Sequence, residues 1–192
     1  MSYTPKQTIQ QTNFPMLVPF WRALDPATKL LWKNLGVTPP ETDTNSLGLV
    51  YKLSGWQWYC RVNTRLNLIS QARLDSPPIG GPVAPPTGVT LEADSSPSLS
   101  LIAYFDSLPF VVAPYGVFFL KFVPGSGTSV AHSGFYAVIT QDVTGLTQLD
   151  LTVRAQALFG PWNPGDTFWL RLQCQSDEAL RSIKVSAAAV ST

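Results

Sequence analysis

Histidine occurs once in this chain, at His132, and cysteine twice, at Cys60 and Cys174. A tetrahedral zinc site needs about four Cys, His or carboxylate ligands, usually at close spacing, and none is assembled here. A Ser–His–acid or Cys–His centre would have to form around His132, which stands between small residues in Val130-Ala131-His132-Ser133-Gly134 and reads as a surface histidine. Two cysteines on opposite sides of a proline-rich stretch are too few for a secreted disulfide scaffold. They read as buried free thiols, with pairing left open. No dense Asp-x-Asp-x-Asp run offers a calcium loop, and no glycine-rich phosphate motif occurs. Charge is also scarce: 13% of residues, about half the usual quarter. Thirteen Lys and Arg against twelve Asp and Glu leave a formal net charge of +1, so no electrostatic footprint for nucleic acid or an anionic membrane is expected. No run of about 18 apolar residues exists to span a membrane. The polar start Met1–Asn13 has no apolar core of the kind a secretory signal carries. Catalytic, cofactor and metal sites are therefore all expected to be absent.

Aromatics are plentiful, with six Trp, six Tyr and ten Phe. In a charge-poor chain they favour a subunit that buries part of its surface in an assembly, against copies of itself or other proteins. The strongest break lies at Pro77–Pro86, where five prolines and two glycines in ten residues exclude both a helix and a central strand. It reads as an extended connector. Upstream, Asp25 caps and Pro26 starts a short helix with Leu30, Leu31, Trp32 and Leu35 on its apolar face and Gly36 as its stop. Ser54 caps a second helix over about Gly55 to Ser70, on which Trp56, Tyr59, Cys60, Asn63, Leu66 and Ile69 recur at three and four. The pair predicts a helical hairpin with Trp32 and Trp56 in its core. Two readings of the aromatics stay open: that core, or a socket for a neighbouring subunit. Residues 1–20 are polar, then proline-spaced, and read as an extended arm whose Phe14, Met16, Leu17, Val18 and Phe20 dock on something.

Downstream the runs are strand-like: 87–93, 98–105, 115–123, 134–140, 149–157, 167–175 and 183–190, separated by turn residues such as Asp94-Ser95-Ser96-Pro97. Seven short strands with no interleaved helix predict a two-sheet sandwich. In the sixth, Phe168, Leu170, Leu172 and Cys174 point one way and Trp169, Arg171 and Gln173 the other. The apolar loops Phe110–Tyr115 and Phe159–Pro164 either fold back over the sandwich or form a contact surface through Tyr115 and Trp162.

Three stretches carry a resemblance: Pro-Pro-Thr-Gly-Val-Thr-Leu from Pro85, Ser-Leu-Ser-Leu-Ile-Ala-Tyr from Ser98, and the run from Gly165 to Ala187. Together 87–192 resembles a fibronectin type III domain, although the expected early Trp is absent and Phe168 or Trp169 stands at the usual sixth-strand Tyr. The front part is similar to short proteins of phage and prophage genomes in Trp32, Gly55-Trp56-Gln57-Trp58-Tyr59, Arg61-Val62-Asn63 and Pro77-Pro78. That similarity implies a virion setting. The resulting expectation is an α+β chain with an extended arm over 1–20, a small helical anchoring region over 21–76 and a Pro/Gly linker over 77–86. A mainly-β, fibronectin type III-like (immunoglobulin-like) sandwich of about seven strands then fills 87–192. Its expected role is that of a non-enzymatic structural subunit of a phage-like virion, at the capsid, collar or tail. Its partners would be the major capsid or tail protein and copies of itself, met through Phe14, Met16, Leu17, Val18, Phe20, Trp21, Trp56, Tyr115 and Trp162. The alternative is a carbohydrate- or cell-surface-binding adhesion module that stacks a host glycan on Tyr115 and Trp162.

Overall fold

A computed structural model describes residues 15–41, 52–96, 98–107, 109–110, 113–125 and 135–192. The chain divides into two units, Met1–Pro82 with Asp177–Leu180, and Val83–Ser176 with Arg181–Thr192. His132 and Phe14 lie outside the described residues.

In the first unit, residues 15–23 form helix α1. This corrects the extended reading of 15–20. Proline's fixed φ is compatible with a helix, Pro15 stands in the first turn where no donor is needed, and Pro19 forfeits one i→i−4 bond. Leu17, Trp21 and Leu24 recur at helical spacing and pack on the unit's core, which offsets that loss. Helix α2 (Pro26–Leu35) begins at Asp25, whose carboxylate accepts from the Thr28 N–H at 3.0 Å, with Pro26 in its first turn. Helix α3 (Gly55–Leu68) begins in a complete capping box: Ser54 Oγ accepts from the Gln57 N–H, and Gln57 Oε1 accepts from the Ser54 N–H at 2.8 Å. Gly55 is required at that start, because a Cβ there would lie 2.8 Å from Lys33 N and 2.9 Å from the Trp32 carbonyl carbon. The two helices meet around Trp32, Trp58, Tyr59, Val62 and Leu66, all buried.

The segment Asp177–Leu180, from the connection between the last two strands, completes this unit. Ala179 joins its core in the left-handed region (φ 63°), and the Arg65 guanidinium donates to the Ala179 carbonyl at 3.0 Å. Glu178 Oε2 accepts from the Ile79 and Gly80 N–H groups at 3.0 and 2.8 Å, so the first half of the proline-rich run is fastened within this unit.

The second unit is two antiparallel sheets. One has the order β1 (Thr90–Asp94), β2 (Ser100–Tyr104), β5 (Gln148–Asp150). The other has the order β4 (Tyr136–Asp142), β3 (Tyr115–Val123), β6 (Thr167–Gln175), β7 (Val185–Val190). β3 and β6 pair over nine residues, from Tyr115–Gln175 to Val123–Thr167. The fourth strand pairs with the third and so gives a three-plus-four split, where an immunoglobulin constant domain divides four-plus-three. This is a fibronectin type III-like sandwich, and with the helices before it the chain is α+β. Period-two alternation supplies its core: Leu91 and Ala93, Leu101 and Ala103, Phe118 and Leu120, and Phe168, Leu170, Leu172 and Cys174 are all buried.

One element departs from the strand reading of 149–157. β5 is only three residues long, and α4 (Thr152–Phe159) follows it, so a helix does interrupt the strands. Leu149, Leu151, Val153, Ala155 and Ala157 alternate, but Leu151, Ala155 and Phe159 also recur at four. Burial selects the second pattern: Leu151 and Ala155 are fully buried while Val153 is exposed.

Candidate interaction surfaces

Among the described residues, the aromatics upstream of the linker are mostly spent on the helical core. Trp21 packs against Trp56 and Tyr59 with ring centroids 5.5 and 5.3 Å apart, and Trp32 meets Tyr59 edge-on at 5.3 Å. Trp32 Nε1 donates to the Asp75 carbonyl at 2.7 Å. Leu17, Trp21 and Trp56, read from sequence as interface residues, are therefore intramolecular packing. Val18 is half-buried, and Met16 and Phe20 are exposed. These two line an open pocket of about 160 Å³ with Asn63, Asn67, Gln71 and Arg73, whose guanidinium lies 3.7 Å from the Phe20 ring centroid and 2.9 Å from Asp75. On α2 the buried Trp32 faces inward, whereas Leu30 and Leu31 are 55% and 51% exposed; Val37, just beyond the helix, is exposed too.

Two loop aromatics of the sandwich, Phe110 and Trp162, are core as well. Trp162 is 3% exposed, donates from Nε1 to the Asp94 carbonyl at 2.8 Å and meets Phe168 edge-on at 5.0 Å. It cannot stack a ligand, because the indole is buried and its N–H is already engaged. Phe110 is fully buried against Phe105. Tyr115 is half-buried at the start of β3.

Several carboxylates act as turn locks. Asp142 accepts from the Thr144 N–H, which lowers its pKa; Asp150 accepts from the Thr152 N–H; Asp166 accepts from the Gly125 and Asn163 N–H groups. Cys60 and Cys174 are free and buried, and burial pushes both thiols up to about 12. Among the described residues no cluster of His, Cys, Asp and Glu could hold a metal ion, and no helix is long and apolar enough to cross a membrane.

A surface that sequence pattern alone did not single out lies on the outer face of the four-stranded sheet. Register sets Lys121, Trp169 and Ala188 side by side, and Phe119, Arg171 and Ser186 in the next row. Trp169 is 44% exposed. The alternation of β6 already turned Trp169 outward; its neighbours come from strand pairing, which the chain order does not reveal.

Fold and surfaces together define a two-unit chain, helical and fibronectin type III-like, with exposed apolar side chains on both units. No protein-family model matches the chain, and no curated protein does. Among solved structures it is similar to a protein described as Fn3-like from Clostridium thermocellum. The identity is 15% and the TM-score 0.35, over 57% of this chain and 93% of that one. The fold assignment stands on strand order and register.

Proposed function

We propose that this chain is a non-enzymatic structural subunit of a phage-like virion that docks through its helical unit and presents the sandwich. Its partners on this reading are a major capsid or tail protein and further copies of the chain. The observation that carries the reading is the outward face of α2, where Leu30 and Leu31 stand in water beside Val37 in a chain with 13% charge. Burying the exposed half of each such leucine against a partner contributes on the order of 1 kcal/mol. The docking element moves accordingly from an extended arm to helix faces, with Met16 and Phe20 of α1 as its second apolar patch. The virion setting rests on the similarity of Trp32, Gly55–Tyr59, Arg61–Asn63 and Pro77-Pro78 to phage-encoded proteins.

Size-exclusion chromatography with light scattering tests the docking face. The wild-type chain is expected to associate as its concentration rises, and Leu30→Glu/Leu31→Glu to remain monomeric with unchanged circular dichroism. A wild type that stays monomeric at every concentration, and that binds purified particles no better than the double variant, would refute the proposal.

A further inference from the structure

We propose that the outer face of the four-stranded sheet binds an acidic polysaccharide, with Trp169 as the stacking platform for one pyranose ring and Lys121 as a partner for its carboxylate or sulfate. The proposal is independent of the helical docking face and moves any adhesive role from Trp162 to Trp169.

Strand register sets the geometry. Lys121 on β3 and Ala188 on β7 flank Trp169 on β6, with cross-strand neighbours about 5 Å apart. Ala188 and Ser186 are small and exposed, so the β7 side of the indole carries no bulky side chain at those two positions. Charge on this face is one-sided. Arg171 lies 3.8 Å from the Phe135 ring centroid, and Lys184 lies 5.5 Å from that of Phe119, which places both cations on the outer face with Lys121. The outward positions of β3, β6 and β7 carry no carboxylate: Tyr115, Val117, Phe119, Lys121 and Val123; Thr167, Trp169, Arg171 and Gln173; Ser186, Ala188 and Val190. Asp142 of β4 stands opposite Tyr115, six residues along β3 from Lys121, or about 20 Å. Among the described outward positions of β3, β6 and β7 every charged side chain is cationic, which is complementary to an anionic partner.

The number of open rings selects the class. A single-stranded nucleic acid stacks successive bases on successive aromatics. Here the Phe119 and Phe135 rings are engaged by Lys184 and Arg171 and Tyr115 is half-buried, which leaves Trp169 as the exposed ring among the described outward positions of β3, β6 and β7. An acidic peptide would use the cations and leave the indole idle. A sugar ring bearing an anion uses both.

Affinity electrophoresis of the full chain in gels containing polygalacturonate, heparin or dextran reads the proposal. Retardation is expected in polygalacturonate or heparin, according to which anion the face prefers, and not in neutral dextran. Trp169→Ala and Lys121→Gln should each weaken it about tenfold, the size of effect that follows from losing one stacking or charge contact. Ala188→Glu, which sets a carboxylate opposite the exposed indole, should abolish it; as an exposed position it also serves if Trp169→Ala fails to fold. Equal retardation in dextran, retardation that none of the variants changes, or no retardation in any gel would overturn the proposal. Tighter binding to oligo-dT or polyglutamate would overturn the assigned class.

Discussion

Replacing Asn63 by Ala isolates one buried polar junction of the helical unit. Asn63 is 3% exposed and lies one turn past Tyr59 on α3. Its Nδ2 donates to the Tyr59 carbonyl at 3.0 Å and the Leu74 carbonyl at 3.1 Å, and its Oδ1 accepts from the Leu74 N–H at 2.8 Å. The three losses are unequal. The Tyr59 carbonyl keeps its i→i−4 partner in the helix, so its loss costs little. Leu74 loses partners for both its N–H and its C=O, and a buried unsatisfied group costs about 1–3 kcal/mol. Leu74 is only half-buried, so water reaches part of the gap and the sum falls to about 2–4 kcal/mol. With a urea m-value of about 1–3 kcal/mol/M, the midpoint drops by about 1 M or more at unchanged slope. Four of the six tryptophans, Trp21, Trp32, Trp56 and Trp58, belong to this unit and report the transition by fluorescence. Asn63→Asp keeps the acceptor for Leu74 but turns a carboxylate toward two carbonyls, so it should destabilise at least as much at pH 7 and recover part of the loss at pH 4. A cost for Asn63→Ala below about 0.5 kcal/mol would refute the claim that this side chain ties the 71–75 segment to α3.

Leu170→Ala should cost the sandwich about 2–5 kcal/mol, because Leu170 is fully buried between Leu120 and Ala187 in the central strand pairing; a cost below about 0.5 kcal/mol by chemical denaturation would place the register or the strand elsewhere. For the thiols, the folded pKa of Cys60 and Cys174 is raised from 9.0 to about 12, so their contribution is fully present below 9.0 and is lost as pH rises toward 12. Stability should therefore fall over that window, and a Cys60→Ala/Cys174→Ala variant should show a flatter slope in denaturant midpoint against pH; equal slopes would refute it.

The parts of the fold legible in the sequence are those where one local signal dominates. Asp25-Pro26 and Ser54 with Gln57 fix two helix starts through side-chain hydrogen bonds that span three residues, and those starts stand where the pattern put them. β3 and β6 coincide with their predicted bounds because bulky alternating side chains sit between strong turn residues. Helix α1 was obscured because Pro15 and Pro19 read as extended punctuation, while the spacing of Leu17, Trp21 and Leu24 carried the opposite message. α4 was hidden because Leu151 and Ala155 satisfy periods of two and four at once. Trp162 departs from the exposure that its loop position suggests, because a loop Trp whose N–H finds a backbone carbonyl, here that of Asp94, is stable when buried.

The proline-rich run gave the clearest boundary in the sequence, and the units divide inside it, between Pro82 and Val83. A single connector would allow one cut to release two independent pieces. The chain instead passes between the units three times, at 82–83, 176–177 and 180–181. Asp177–Leu180 carries a core residue, Ala179, and the carboxylate that receives the Ile79 and Gly80 amides. The left-handed backbone at Ala179 costs about 1 kcal/mol or more in a non-glycine residue, so it persists only because the packing and the Arg65 hydrogen bond over-determine it. The helical unit thus depends on four residues that lie nearly a hundred positions downstream, between β6 and β7. No local pattern in Asp177-Glu178-Ala179-Leu180 distinguishes it from an ordinary polar hairpin turn, and only the tertiary partners of Glu178 and Ala179 reveal which unit it serves.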